Sequence, residues 1–272
     1  MLRGLYMATS GMIAQQRQQE TISNNLANIN TPGYKADNAV LKTFPEMLIR
    51  QLGSKQIPTT NGLKLPVNRR IGSLHTGVYT QETIPSFLQG FLRETGMTTD
   101  MAIIDDVFPE ETGALFFSVQ NEDGDVSYTR NGNFTVDGEG FLTTNEGYYV
   151  LDTAGNPIQT NGYDFIVTPD GQVNGDGVNA QLGIVYFANA NDLVKGENNL
   201  FNPEGDSQPE DPAIADATFT VQQRFLEQSN VDPQQSMTQM LQAYRAFEQN
   251  QQVLKIYDDS LGRAVNEIGR LG

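Results

Sequence analysis

Two stripes of apolar and amide side chains, one at each end, constrain this chain more than anything between them. At the first end Met1, Leu5, Ala8, Met12, Gln15, Gln19, Ile22, Leu26 and Ile29 step by alternating fours and threes. At the other, Met237, Met240, Tyr244, Phe247, Gln251, Leu254, Asp258, Leu261, Val265 and Ile268 follow the same rule. A 3.5-residue period keeps one narrow stripe against a partner helix. Neither helix can bury its stripe alone, so each end predicts a long helix that needs another, from its own chain or a neighbour. Gln15, Gln19, Gln251 and Asp258 at seam positions favour a hydrated or interchain interface, because a closed core would have to satisfy each of them. The alternative is an intramolecular helical hairpin that joins the core of the middle region.

The first helix should stop near Asn30, where Pro32 biases Thr31 away from helix and Gly33 permits a tight turn. Gly4 and Gly11 each cost about 1 kcal/mol relative to alanine, so this helix is marginal on its own. The second should start at Asp232, a capping residue, with Pro233 at the first helical position and Gln235 at capping-box spacing. It should run to about Arg270.

Charge divides the chain in the same way. Of a net −16, residues 1–50 carry five basic against three acidic side chains and residues 231–272 four against five. Residues 51–230 carry eight against 25. Near-neutral ends suit segments that pack on copies of themselves, and the acidic middle suits a solvated, self-repelling surface. Nothing here would neutralise phosphates, which argues against nucleic-acid binding. No run of 18 apolar residues occurs, so no membrane span is expected. Gly4 to Ala14 resembles a poor secretory signal, but the seam runs through it without a cleavage context and it reads as mature protein.

The middle changes period. Leu115–Val119, Val126–Thr129, Tyr148–Leu151, Phe165–Val167 and Ile184–Phe187 are β-branched and aromatic. Asp123-Gly124, Asn131-Gly132, Asp137-Gly138, Asn161-Gly162 and Asp170-Gly171 punctuate them as turns. Between the first helix and these strands, Phe44–Arg50 has the pattern of a short helix, while Pro58, Asn61-Gly62 and Pro66 break longer elements. The predicted fold is α+β: long N- and C-terminal helices forming a coiled-coil-like helical part, with a central, mostly antiparallel β-domain. Its divisions are a first helix at 1–34, an extended connector at 35–75, the β-domain at 76–228 and the last helix at 229–272.

Catalytic chemistry finds little support. With no cysteine and one histidine, His75, neither a thiolate nor a histidine-based metal site can be built, and His75 reads as a solvated loop residue. Asp105-Asp106 and Glu110-Glu111 are paired carboxylates, but adjacent acids on a polar loop are normally just hydrated. Asp170 to Gly175 has the calcium-loop glycine at its sixth place, yet Gln172 and Gln181 stand where charged ligands belong. It reads as a turn. Asn121-x-Asp123-x-Asp125 fails similarly. No cofactor, metal or small-molecule substrate is expected.

Ile22-Ser23-Asn24-Asn25-Leu26-Ala27-Asn28-Ile29-Asn30-Thr31-Pro32-Gly33-Tyr34-Lys35 resembles the N-terminal motif of bacterial flagellar basal-body rod and hook proteins. Ser229-Asn230-Val231-Asp232, Met237 and Tyr244-Arg245-Ala246-Phe247-Glu248-Gln249-Asn250 resemble its C-terminal motif, and Thr99–Ile103, Leu115–Val119, Tyr128–Phe134 and Gly147–Leu151 its middle. The length is similar to the distal-rod type. One departure is the long acidic stretch 104–114, where the family has a short glycine-containing turn. The resemblance implies a subunit exported by the flagellar type III apparatus, polymerised with itself and with other rod or hook proteins, and located in the basal body. It implies interface residues Leu5, Met12, Ile22, Leu26 and Ile29 on one helix and Met237, Met240, Tyr244, Phe247, Leu254, Leu261, Val265 and Ile268 on the other. Asn24, Asn25, Leu26, Asn28, Thr31, Pro32, Gly33, Tyr34, Asn230 and Asp232 carry the motif. A structural subunit without enzymatic activity is the expected function. A transient assembly factor and an unrelated adhesin are the alternatives.

Overall fold

The computed structural model describes residues 2–56, 64–110, 112–121, 124–175, 177–204 and 208–268, with the backbone alone given at Leu2, 48–56, 64–71, Leu74, Val178 and Ile268. Among them are two α-helices, α1 (Leu2–Ala27) and α2 (Pro233–Ile268), with strands making up most of the chain between. The chain divides into two compact units. The first comprises residues 1–23, 39–83 and 237–272, and the second residues 24–38 and 84–236.

In the second unit an eight-stranded sheet is built on the strand Ala114–Gln120, whose first six side chains are all buried. Val126–Thr129 pairs with it antiparallel, while Tyr149–Val150 and Ile184–Phe187 pair with successive parts of it. Being flanked by strands and covered on both faces explains why Leu115-Phe116-Phe117 is a continuous apolar run rather than an alternating one. One core holds Leu115, Phe117 and Val119 with Phe134, Leu142 and Val150; the other holds Phe116 with Tyr128, Phe187 and Phe201. Phe117 and Phe134 meet edge to face at 5.2 Å, as do Tyr128 and Phe187 at 5.0 Å. This geometry suits the ring quadrupole.

Strand Met101–Val107 pairs antiparallel with Thr218–Gln223, and Leu92–Glu94 with Phe225–Glu227. Residues 104–107 of the acidic stretch therefore lie in a strand and not on a loop, as do Asp105 and Asp106 of the paired carboxylates. Asp170-Gly171 turns between Ile166–Val167 and Gln172–Gly175, with Gly171 at a φ of 83°. Asn61-Gly62, Asp123 and Glu111 lie outside the described residues.

The stretch expected to be a connector contains strands. Asp37–Thr43 pairs with Val78–Pro85, and Met47–Gln56 with Lys64–Leu74 antiparallel. The short helix expected at 44–50 is thus replaced by the start of a strand. Pro66 sits opposite Ser54 in the second pair. A two-stranded ribbon has only edges, so a proline can be placed where its missing N–H faces outward. His75 is exposed, with Nε2 3.4 Å from Glu46 Oε1.

The coiled-coil-like helical part does not form. The two helices of the first unit approach where long side chains of α2 lie over glycines of α1: Tyr257 over Gly4, and Asn250 Nδ2 3.1 Å from where a Cβ on Gly11 would be. These pairings run in opposite directions along the chain, so the helices are antiparallel. A coiled coil needs large apolar knobs seated in facing holes over several heptads. Here the buried apolar residues are Ala8, Ala14 and Ile22 on α1 and Ala243 on α2, too few and too small for such a seam. What remains is an antiparallel β-domain with one helix at each chain end.

Candidate functional site: the motif junction and the terminal helices

The structure treats the predicted residues in two groups. On α2 the least exposed side chains recur at Met240, Ala243, Phe247, Asn250, Leu254, Tyr257, Leu261 and Ala264. Met240, Phe247, Leu254 and Leu261 are therefore partly buried, but the second column of the stripe falls one residue before Tyr244 and Val265. Those two are 53% and 69% exposed, and Met237 is 57%. On α1, Ile22 is buried while Leu5, Met12 and Leu26 are partly buried, as is Ile29 in the turn after the helix. Gly4 and Gly11 of α1 lie under Tyr257 and Asn250 of α2. The side chain of Ile268 lies outside the described residues.

The motif residues, by contrast, converge within the second unit. After Ala27 the chain turns: Thr31 N donates to Asn28 O at 3.1 Å, and Tyr34 N to Thr31 O at 3.3 Å. Gly33 takes a φ of 65°, and an added Cβ would stand 2.5 Å from Arg130 C and Asn131 N. Only glycine satisfies both the left-handed backbone and the close approach. Its N–H donates to Glu227 O at 2.8 Å. Asn25 is buried in α1 and bridges onward, its Nδ2 donating to Asp37 O at 2.8 Å and its Oδ1 accepting from Asp37 N at 2.9 Å. The Tyr34 hydroxyl donates to the same Oδ1 at 3.1 Å. Asn230 does the equivalent from the C-terminal side: its Oδ1 accepts from Ala36 N at 2.8 Å and its Nδ2 donates to Ser86 O and Leu88 O. Asp232 is exposed and caps α2, with Oδ1 accepting from Gln234 N and Gln235 N at 2.8 and 3.1 Å. Asn24 is exposed, and Asn28, Thr31 and Pro32 are partly buried at the turn.

Beneath this turn lies a charge cluster that the sequence reading missed. Lys35, Arg130 and Glu227 are each only 2% exposed. Glu227 accepts from Lys35 Nζ at 2.8 Å through Oε1 and from Arg130 Nε at 2.6 Å through Oε2. Arg130 also donates to Asp105 Oδ1 at 2.7 Å and to the carbonyls of Leu115 and Ile103. Gly90 N completes the Glu227 shell at 2.8 Å, and Lys35 Nζ reaches Leu88 O at 2.9 Å. The two cations face two carboxylates, so the cluster is balanced, and its donors are spread over carboxylate and carbonyl oxygens as buried ions require.

Burial alone would raise the Glu227 carboxyl, but Arg130 and Lys35 together outweigh it and hold it below the usual carboxylate range. Burial pulls the Lys35 ammonium below its ordinary value, opposed by Glu227. Burial also works against the Arg130 charge, but Glu227 and Asp105 raise it overall. At the rim Lys195 Nζ lies 3.7 Å above the Tyr34 ring and 3.1 Å from Asp37 Oδ2. Burial first, and the Asp37 charge second, push the Tyr34 phenol well above its normal value.

Three family models fall on these elements. Residues 5–35 match the flagella basal body rod protein, 112–175 the flagellar hook protein FlgE/F/G D1 domain, and 222–267 the flagellar basal body rod FlgEFG protein C-terminal region. The first and third contain the two halves of the junction. Across its whole length the chain is 39% identical to the flagellar hook-basal body complex protein FlhO of Bacillus subtilis, covering 100% of both chains. It is 33% identical to the flagellar basal-body rod protein FlgG of that organism over 98% of this chain and 99% of the relative. For FlgG of Agrobacterium fabrum the figures are 35%, 95% and 96%.

The chain belongs to the flagellar basal-body rod and hook protein family. It is a structural subunit of the rod, located in the flagellar basal body, and rod proteins of this family assemble with other rod and hook components. The terminal helices carry exposed apolar side chains, among them Tyr6, Ile13, Leu241 and Tyr244. Among the described residues no helix is long and apolar enough to cross a membrane.

Proposed function

We propose that this rod subunit polymerises through the outward columns of its two terminal helices, and that its role is mechanical, without an enzymatic reaction. The observation that carries the reading is the face of α2 formed by Met237, Leu241 and Tyr244, all more than half exposed. Positions i, i+4 and i+7 share one side of a helix. On α1, Tyr6 and Ile13, seven residues apart, are exposed as well. Apolar residues repeated at helical spacing mark a surface that another helix covers. The similarity to FlgG over nearly the full length supports a place in the distal rod or near the rod–hook boundary. Delivery by the flagellar type III export apparatus is part of the same reading, and the marginal first helix suits a chain that orders its ends on assembly.

The test is to replace Met237, Leu241 and Tyr244 together by serine. The purified monomer should unfold at the same denaturant concentration as the parent, because these side chains already face water. Incorporation into hook–basal bodies, and with it motility, should be lost, since each substitution removes on the order of 1–2 kcal/mol of burial at every contact. Normal incorporation of a folded triple variant would contradict the reading.

A further inference from the structure

Glu227 is the meeting point of segments far apart in sequence. Its side chain takes Lys35 Nζ, 192 residues away, Arg130 Nε, 97 residues away, and the Gly90 amide. Its carbonyl takes the Gly33 amide. The neighbouring Gln228 amide donates to Phe91 O, and its carbonyl sits where a side chain on Gly90 would have to go. The strand Phe225–Glu227 thus lies as a strap across the helix-end motif, the 87–92 segment and the sheet.

Without that strap the electrostatics reverse. Lys35 and Arg130 would be two buried cations that repel one another, with Asp105 bonded to Arg130 alone. We propose that Glu227 is a latch: the N-terminal motif can seat on the β-domain only when the strand before the C-terminal helix has brought its carboxylate between Lys35 and Arg130. The strand before the C-terminal helix must then be in place before the N-terminal motif is fixed to the β-domain. In a partial chain, or one whose C-terminal segment has not docked, the motif stays unseated. Two side chains carry opposite parts in this device. Glu227 closes it, and Lys35 is the charge that keeps it open until Glu227 arrives.

The test uses the full-length chain and amide hydrogen exchange. Gly33 and Ala36 report the motif, because their amides bond to Glu227 O and Asn230 Oδ1 and not to the Glu227 carboxylate. Leu142 and Ile158, whose amides bond within the β-domain, report the rest of the unit. In E227Q the Gly33 and Ala36 amides should exchange at least tenfold faster than in the parent, while Leu142 and Ile158 change by less than threefold. Removing one partner of a buried ion pair is what creates a penalty of that size. The double variant E227Q/K35M, which removes the repelling cation too, should return Gly33 and Ala36 to within about threefold of the parent. K35M alone should leave Gly90 protected, since Glu227 keeps Arg130. Unchanged exchange in E227Q, an equal rise at all four amides, or a double variant no better than E227Q would each overturn the latch.

Discussion

Replacing Gly33 by alanine isolates the sharpest requirement in the motif. The residue sits at a φ of 65°, and an added methyl would stand 2.5 Å from Arg130 C and Asn131 N and 2.6 Å from Arg130 O. The left-handed backbone costs an L-residue about 1–2 kcal/mol. The contact is with backbone, in a segment whose arginine is bonded to Glu227, Asp105 and two carbonyls, so it cannot swing aside as a side-chain tip would. Overpacking of that kind costs about 1–3 kcal/mol. Together these give a loss of about 2–5 kcal/mol, a large share of a domain's stability. Equilibrium urea unfolding of the purified chain, followed by circular dichroism, should show the midpoint falling by about 1–2.5 M for a slope near 2 kcal/mol/M. Pro32→Ala provides the contrast: its main effect is on the freedom of the unfolded chain, about 0.4–1 kcal/mol. A Gly33→Ala midpoint within about 0.3 M of the parent would refute the close-approach argument.

Three further outcomes follow from the same geometry. Gly11→Ala should be neutral or stabilising by up to about 1 kcal/mol, because the helix gains propensity and the nearest atom, Asn250 Nδ2 at 3.1 Å, ends a movable side chain; a thermal midpoint several degrees lower would show that the helices cannot yield there. Asp232→Ala should cost about 1 kcal/mol through the lost cap of α2, read in the same urea titration, and no change would mean that the first turn finds other partners. The pH profile should fall at both extremes. Glu227 is held low, so its contribution is present above the ordinary carboxylate value and is lost as pH drops through the lowered one. Tyr34, Tyr128 and Tyr186 are raised, so theirs is present below about pH 10 and is lost as pH climbs. Lys35 and Lys195, both lowered, act against that alkaline loss. E227Q should flatten the acid limb, and an unchanged acid limb would remove Glu227 from the account.

Local signals in the sequence were readable because their causes are local. Asp232-Pro233 starts a helix and Thr31-Pro32-Gly33 stops one for reasons contained in a few residues. The run Leu115–Val119 reads as a strand because it is β-branched and aromatic. The helical period was legible, but the partner of each stripe was not. Within the chain Met240, Phe247, Leu254 and Leu261 are partly buried, while Met237 and Tyr244 stay exposed on the face proposed for assembly and Val265 is exposed as well. Gly4 and Gly11 read as propensity costs, and long side chains of α2 lie over them. Helical period sets a stripe but not which helix covers it. The charge cluster was invisible for a different reason. Lys35, Arg130 and Glu227 are distant in sequence, and Asp105 looked like one of many hydrated acids. A signal did exist: Arg130 is one of four basic residues in 84–236 and stands in an otherwise uncharged run, 126–136, while Glu227 ends the strand after Phe225-Leu226.

The most direct test of the central claim is to purify intact hook–basal bodies and quantify this chain in them by mass spectrometry. A structural rod subunit should be present at several copies per particle, in fixed ratio to the other rod proteins and resistant to high-salt washing. Absence from intact particles, in cells that express and export the chain, would contradict it.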